Sequence, residues 1–263
     1  MGICVGEEGE LLVTDPGNRQ VLLLDRARHR IQRFPADDQI HLPSPIAAAW
    51  GLHGEVIVTD SILGRVLRFD AKGRYLGDLG NPGLLERPTG IAVDHLRGFV
   101  YVVDTTGHQI FVFNGDGKVV RVIGHRGGGP GELNYPTHIC VDPKGWLYVT
   151  DAMNFRIQVF DQDGAVVAVL GHLGDGPGTF SKPKGVAVDS KGHIYVVDAL
   201  FDNVQILDRQ GRPLLAVGGS GSGSGAFWLP TGIAIDDKDR IYVADTYNHR
   251  IQILQYLSSP ETP

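Results

Sequence analysis

Asp15, Asp60, Asp104, Asp151, Asp198 and Asp245 each close a short apolar run, and they stand 45, 44, 47, 47 and 47 residues apart. A period that regular confines the chain to repeat architectures, in which a unit buries its apolar faces only by stacking on its neighbours. The unit is fullest between Pro136 and Pro183. There, four β-type runs and a Gly-rich connector precede a proline at which the pattern restarts.

The first run of each unit is expected at 3–5, 46–49, 91–93, 139–141, 186–188 and 233–235. The second reads LLVTD, VIVTD, VYVVD, LYVTD, IYVVD or IYVAD, and the third QVLLLD, RVLRFD, QIFVFN, RIQVFD, NVQILD or RIQILQ. A less regular fourth run is placed at 30–34, 75–79, 119–123, 166–170 and 214–217. These runs are rich in Val, Ile, Leu, Tyr and Phe and are separated by Lys-Gly, Asp-Gly and Gln-Gly pairs, which reads as antiparallel hairpins. Four such strands per unit and six units predict an all-β, six-bladed β-propeller. Runs apolar on both faces, such as GVAVD, suit blades covered on both sides. One propeller domain is expected over 1–257, with units at 1–44, 45–87, 88–135, 136–182, 183–229 and 230–257, and a tail at 258–263. No fourth run follows Gln255, so the last blade is expected to be three-stranded or completed by sequence outside this chain.

Composition narrows the function classes. The 36 Gly and 15 Pro are spread along the chain where turns use them. A net charge of −6, with no polybasic run, argues against general nucleic-acid binding, which needs clustered Lys and Arg. No stretch is long and apolar enough for a transmembrane helix. Two cysteines, Cys4 and Cys140, make neither a disulfide framework nor a CxxC metal motif. They take the place of Ala48, Ala92, Ala187 and Ala234 in the first run of other units, and small inert core residues are expected there. Met1 runs almost directly into the first strand, so an export signal is expected only in sequence preceding this chain.

The six aspartates invite a metal or catalytic reading, but they recur in every unit. Five residues after each comes Gln20, Arg65, Gln109, Arg156, Asn203 or Arg250, always a hydrogen-bond donor. The expected role is structural, each Asp anchoring its loop through backbone amides and that donor. The connectors GHRGGGPGELNYP, GHLGDGPGTFSKP and GGSGSGSGAFWLP lack the Gly-Lys-Ser/Thr ending of a phosphate loop and read as turns between blades.

At the level of these repeats the chain resembles the NHL family. The resemblance is carried by PTGIAVDHLRGFVYVVDTTGHQIFVF, PTHICVDPKGWLYVTDAMNFRIQVFD and PTGIAIDDKDRIYVADTYNHRIQIL, with the literal trio Asn248-His249-Arg250 between second and third strands. It implies an interaction platform, as in tripartite-motif proteins, bacterial receptor-kinase sensors and secreted or lipid-anchored bacterial proteins. The fuller pattern is most similar to the bacterial envelope group, some of which accompany multihaem cytochromes. That implies a periplasmic or envelope location if an export signal has been removed, with envelope or electron-transfer proteins among the partners. Within NHL-like propellers, peptidylglycine amidating lyases place zinc-binding His directly after the unit's proline. The matching positions here are Ile46, Thr89, Thr137, Lys184 and Thr231, so no cofactor or metal is expected. His138, one residue further along, replaces Gly90, Gly185 and Gly232 of other units and is the candidate residue at the channel mouth.

Connectors and post-Asp loops are expected to share one face of the propeller, and function commonly sits on loops held by a rigid scaffold. This loop face would carry Tyr135, Phe155, Phe201, Asp202, Trp228, Tyr247, His249 and Arg126 as candidate partner-binding residues. Phe180, Phe227 and their counterpart Leu133 are expected to plug gaps between blades. The leading reading is a monomeric, non-catalytic module that binds a protein or peptide. The alternatives are a metal-dependent lyase- or lactonase-like enzyme with its site in the channel, and an RNA-binding platform.

Overall fold

Residues 1–256 are described by a computed structural model, in which twenty-three strands form six antiparallel sheets. The first sheet holds β1 (Ile3–Val5), β2 (Leu11–Asp15), β3 (Gln20–Asp25) and β4 (Arg30–Phe34); the second holds β5 (Pro45–Trp50), β6 (Val56–Asp60), β7 (Arg65–Phe69) and β8 (Tyr75–Asp78). The third comprises β9 (Pro88–Asp94), β10 (Phe99–Asp104), β11 (Gln109–Asn114) and β12 (Val119–Ile123). The fourth comprises β13 (Pro136–Val141), β14 (Leu147–Asp151), β15 (Arg156–Phe160) and β16 (Val166–Leu170). β17 (Pro183–Val188), β18 (Ile194–Asp198), β19 (Asn203–Leu207) and β20 (Pro213–Gly218) make the fifth. β21 (Ile233–Ile235), β22 (Ile241–Asp245) and β23 (Arg250–Leu254) make the sixth, which has three strands among the described residues. The expected tail at 258–263 lies outside the described residues.

The innermost strands touch in cyclic order, β1 to β5, β9, β13, β17 and β21, and β21 returns to β1. The ring of six blades is therefore closed. Each seam is filled from both sides: Tyr101, Val103 and Ile110 of the third blade pack with Leu133, Ile139 and Phe160 from the connector and strands of the fourth. Among the described residues the seam between sixth and first blades is the smallest, with Leu11, Val13 and Tyr242 as its buried members. That junction closes without any strand crossing from one blade into the other.

Hydroxyl and backbone donors stitch the inner strands around the axis. Thr14 Oγ1 donates to Ile46 O (3.0 Å), Thr59 Oγ1 to Thr89 O (2.6 Å) and Thr105 Oγ1 to Pro136 O (2.7 Å). Thr150 Oγ1 donates to Lys184 O (2.6 Å), Gly185 N to Thr231 O (2.9 Å) and Thr231 Oγ1 to Met1 O (2.8 Å), which completes the circle. The close approach explains the glycines at this level. A Cβ on Gly90 would sit 2.7 Å from Thr137 O, and one on Gly232 would sit 2.7 Å from Met1 O.

Several first strands begin earlier than the apolar runs imply, at Pro45, Pro88, Pro136 and Pro183. Each of these prolines pairs with the aspartate of its blade across a register shift. A proline fits there because the strand's first residue at a bulge need not donate to the ladder. Register also corrects one alignment. Cys4, Ala92, Cys140, Ala187 and Ala234 face Leu12, Tyr101, Tyr148, Tyr195 and Tyr242, and the second-blade residue facing the matching Ile57 is Ala49, not Ala48. The extra small residue in the run Ala47-Ala48-Ala49 hides that one-residue shift.

Candidate functional site

Antiparallel strands put the loop after each second strand beside the connector that enters the blade, and the aspartates join the two. Asp60 accepts from Ser44 N (2.8 Å), Asp104 from Glu86 N and Arg87 N, Asp151 from Asn134 N, Asp198 from Ser181 N and Lys182 N, and Asp245 from Trp228 N (2.8 Å). Asp15 instead holds its own loop, through Asn18 and Gln20. The donor five residues on reaches the aspartate in three blades: Gln20 to Asp15, Arg156 to Asp151 and Arg250 to Asp245. Arg65 departs from the expected pairing. It forms a bidentate bridge to Asp78 (2.7 and 2.9 Å) and bonds Tyr75 Oη, because β8 ends with a carboxylate beside it while three amides already occupy Asp60.

Arg156 and Arg250 also hold the Gly-rich connectors. Arg156 donates to the carbonyls of Gly128, Gly129 and Glu132, and Arg250 to those of Ser222, Gly223 and Ala226. Gln158, Gln205 and Gln252 complete the grip, each accepting from a connector amide (Gly131, Gly178 or Gly225) and donating to a connector carbonyl. These glutamines were legible as the shared third letter of RIQ, NVQ and RIQ. Burial works against the charged form of Asp245, but donation from Trp228 N, Asn248, Arg250 and Gln252 outweighs it and keeps the carboxyl below its usual range. The loop face is thus a set of clamped loops.

On that face Trp228 and Tyr247 are 53% and 56% exposed, with ring centroids 5.7 Å apart, and Tyr247 N donates to Trp228 O. Tyr135 is exposed and stands edge-on to His108 at 4.5 Å, while His249 and Arg126 are exposed. Phe155 and Phe201 are half-buried. Asp202 is buried and committed: it accepts from Leu229 N (2.7 Å) and from Ser220 Oγ, latching the fifth blade's loop to the next connector. With both oxygens occupied it offers no free carboxylate to a partner. Leu133, Phe180 and Phe227 are fully enclosed between blades. The structure adds Ile62, Met153 and Leu200, exposed two residues after their aspartates at the position Tyr247 holds in the sixth blade. Aligning that column would have revealed them.

Along the axis runs a cavity of about 690 Å³, walled by the inner strands and bordered by His138. Gly2, Ala47, Gly90, Gly185 and Gly232 occupy the matching positions, so His138 alone carries a side chain larger than methyl at that level. Its Nδ1 lies 3.2 Å from Thr137 Oγ1. Burial lowers its pKa to about 3, helped by the positive charges of Lys184 and the Met1 amine. Lys184 is itself lowered, by burial and then by Lys182. Cys4 and Cys140 both border the cavity, and burial raises the Cys4 thiol to about 11 and Cys140 higher still. Among the described residues no group of three or more His, Cys, Asp or Glu is placed to hold a metal ion, and no helix is long and apolar enough to cross a membrane.

Comparison with known proteins agrees with this geometry. A probable peptidyl-alpha-hydroxyglycine alpha-amidating lyase of Caenorhabditis elegans is 29% identical over 101 residues, which is 36% of this chain and 29% of that protein. A streptogramin B lyase structure superposes with a TM-score of 0.68 at 18% identity, covering 98% of this chain and 83% of that one. A chain from a nidogen/laminin complex gives 0.69 at 21% identity, covering 93% and 88%. At such identities the likeness shows the fold alone. A family model described as a 6-bladed beta-propeller matches residues 91–147 and 143–201, and the NHL repeat model matches 227–254. With six sheets in a closed ring and an NHL-repeat match at its last blade, the chain is a six-bladed β-propeller that carries an NHL repeat.

Proposed function

We propose that this protein is a non-catalytic recognition module that holds a protein or peptide partner on its loop face. The observation that carries the reading is the Trp228–Tyr247 pair, two large rings more than half exposed on clamped loops. Burying one such side chain is worth about 2 kcal/mol, and an anchor already held in place loses little freedom on binding. Exposed Leu200, Met153 and Ile62 extend apolar surface around the same face, where Arg126 and His249 supply polar contacts. Aromatic anchors with Arg beside them are the composition of interface hot spots. The similar chain solved in a nidogen/laminin complex lends a fold-level precedent.

The test is selection of peptides from a displayed library on the wild-type protein, with affinities then measured against a Trp228→Ala, Tyr247→Ala variant. Selected peptides should bind the folded variant at least tenfold more weakly. Equal binding by both proteins would sink the loop-face reading. A second reading, an enzyme working in the channel, is favoured by the stretch shared with the amidating lyase. Its test is metal analysis of protein purified without chelators, together with turnover of a peptidyl-α-hydroxyglycine.

A further inference from the structure

The proline that opens each of the second to fifth blades pairs with the aspartate ending that blade's second strand, so the residues on either side of it stand at the loop-face end of the channel. In these blades and the sixth, those flanking positions hold three cations, Arg87, Lys182 and Lys184, and no carboxylate. Two of the three flank one proline, Pro183 of the fifth blade. Their backbones are pinned. Lys182 N donates to Asp198 Oδ1 (3.1 Å), Lys182 O accepts from Ala199 N (3.1 Å), and Lys184 O accepts from Thr150 Oγ1 (2.6 Å).

The charges of this pair are unmet. Arg65, Arg156 and Arg250 on the same face are bridged to Asp78, Asp151 and Asp245, whereas Lys182 and Lys184 have no carboxylate partner among the described residues. Asp198, which pairs with Pro183, spends its oxygens on the amides of Ser181, Lys182 and Leu200. Lys182 is exposed and Lys184 half-buried. Burial depresses the Lys184 ammonium, and the charge of Lys182 adds to the effect. The Lys184 charge acts in turn on the imidazole of His138, the side chain at the channel mouth. A partly desolvated cation beside a second cation is stabilised by an anion, and charge-assisted hydrogen bonds are the strong kind. The pair lacks the guanidinium fork that favours bidentate phosphate recognition, and the Lys182 amide is already given to Asp198, so the anion that fits is a carboxylate. Trp228 and Tyr247 stand on the connector and loop of the next blade.

We propose that Lys182 and Lys184 form a carboxylate site at the loop-face mouth of the channel, and that the partner anchored on Trp228 and Tyr247 is an acidic peptide whose side-chain or C-terminal carboxylate enters it. The identity of the partner rests on the loop-face reading above; the carboxylate site stands on its own geometry. Apolar anchor and charge then divide the work, the ring pair supplying buried area and the lysine pair selecting against neutral and basic sequences.

The test of the site is competitive acetylation of lysines in the full chain, read by mass spectrometry at constant ionic strength, with glutarate, its uncharged diamide or inorganic phosphate as probe. A bound carboxylate favours the ammonium form and so slows acetylation. Glutarate should slow Lys182 and Lys184 at least threefold and saturably, phosphate should do so less, and the diamide not at all. Lys191 and Lys238, in turns on the opposite face, should be unaffected. Lys184→Met, which removes a partly desolvated charge and should keep the wild-type unfolding midpoint, should abolish the protection of Lys182. Absence of protection, equal protection by diamide or phosphate, or equal protection of Lys191 and Lys238 overturns the site. For the partner, peptides selected on the wild type are resynthesised with each Asp or Glu replaced by Asn or Gln, and separately with an amidated C-terminus. Neutralising the carboxylate that enters the site should weaken binding to the wild type at least tenfold, and to a Lys182→Gln, Lys184→Met variant less than threefold. Peptides that need Trp228 and Tyr247 but no carboxylate overturn the acidic partner and leave the loop-face reading standing. Glutarate protection without any peptide that needs Trp228 and Tyr247 refutes the loop-face reading and leaves the site standing.

Discussion

His138→Ala should reverse its effect on stability between neutral and mildly acidic pH. In the folded protein the imidazole stays neutral down to about pH 3, because burial penalises its charged form and Lys184 and the Met1 amine repel it. In the unfolded chain it takes up a proton below about pH 6.5. The unfolded state therefore binds more protons between those values, and stability is lost as pH falls through that window. At pH 5 the full shift corresponds to about 2 kcal/mol, and the open cavity beside the ring reduces this to about 1–2 kcal/mol. At pH 7.5 there is no such penalty, and the variant loses the Thr137 hydrogen bond (3.2 Å), worth about 1 kcal/mol, along with packing. Wild type should thus be the more stable protein at pH 7.5, and the variant should equal or exceed it by pH 5. Urea unfolding of both proteins at pH 7.5, 6 and 5 reads this directly, since every other titrating group is common to the pair. A stability difference that does not change with pH would refute the reasoning.

Asp151→Ala should cost about 3–5 kcal/mol, because it strands buried Arg156, whereas Asp15→Ala, which loses Asn18 and Gln20, should cost about 1 kcal/mol; equal losses in urea unfolding would contradict the clamp. Phe227→Ala should cost about 3–5 kcal/mol, while Trp228→Ala, its exposed neighbour, should leave the unfolding midpoint nearly unchanged. Cys4, raised to about 11, should react with iodoacetamide at pH 8 at least a hundredfold more slowly in the native protein than in urea, followed by mass spectrometry. Hydrogen exchange should find β1 and β21 less protected than β10 and β14, because the seam that joins the sixth blade to the first has the smallest buried cluster.

The local rules carried far. Short apolar runs punctuated by turn pairs set the strands, and the recurrence of the aspartate set the blade count, since both depend on residues within one unit. The burial of Leu133, Phe180 and Phe227 was also legible, because the same column recurs in three connectors. What the sequence could not determine is which partner satisfies a side chain when two are in reach. Arg65 takes Asp78 rather than Asp60, and Asp202 is spent on Leu229 and Ser220 from the next connector. The axial cavity is walled by inner-strand residues from all six blades, which meet only in the closed ring. Period and turn chemistry are properties of contiguous residues; occupancy of a donor or acceptor depends on segments tens of residues apart that meet only when the ring closes.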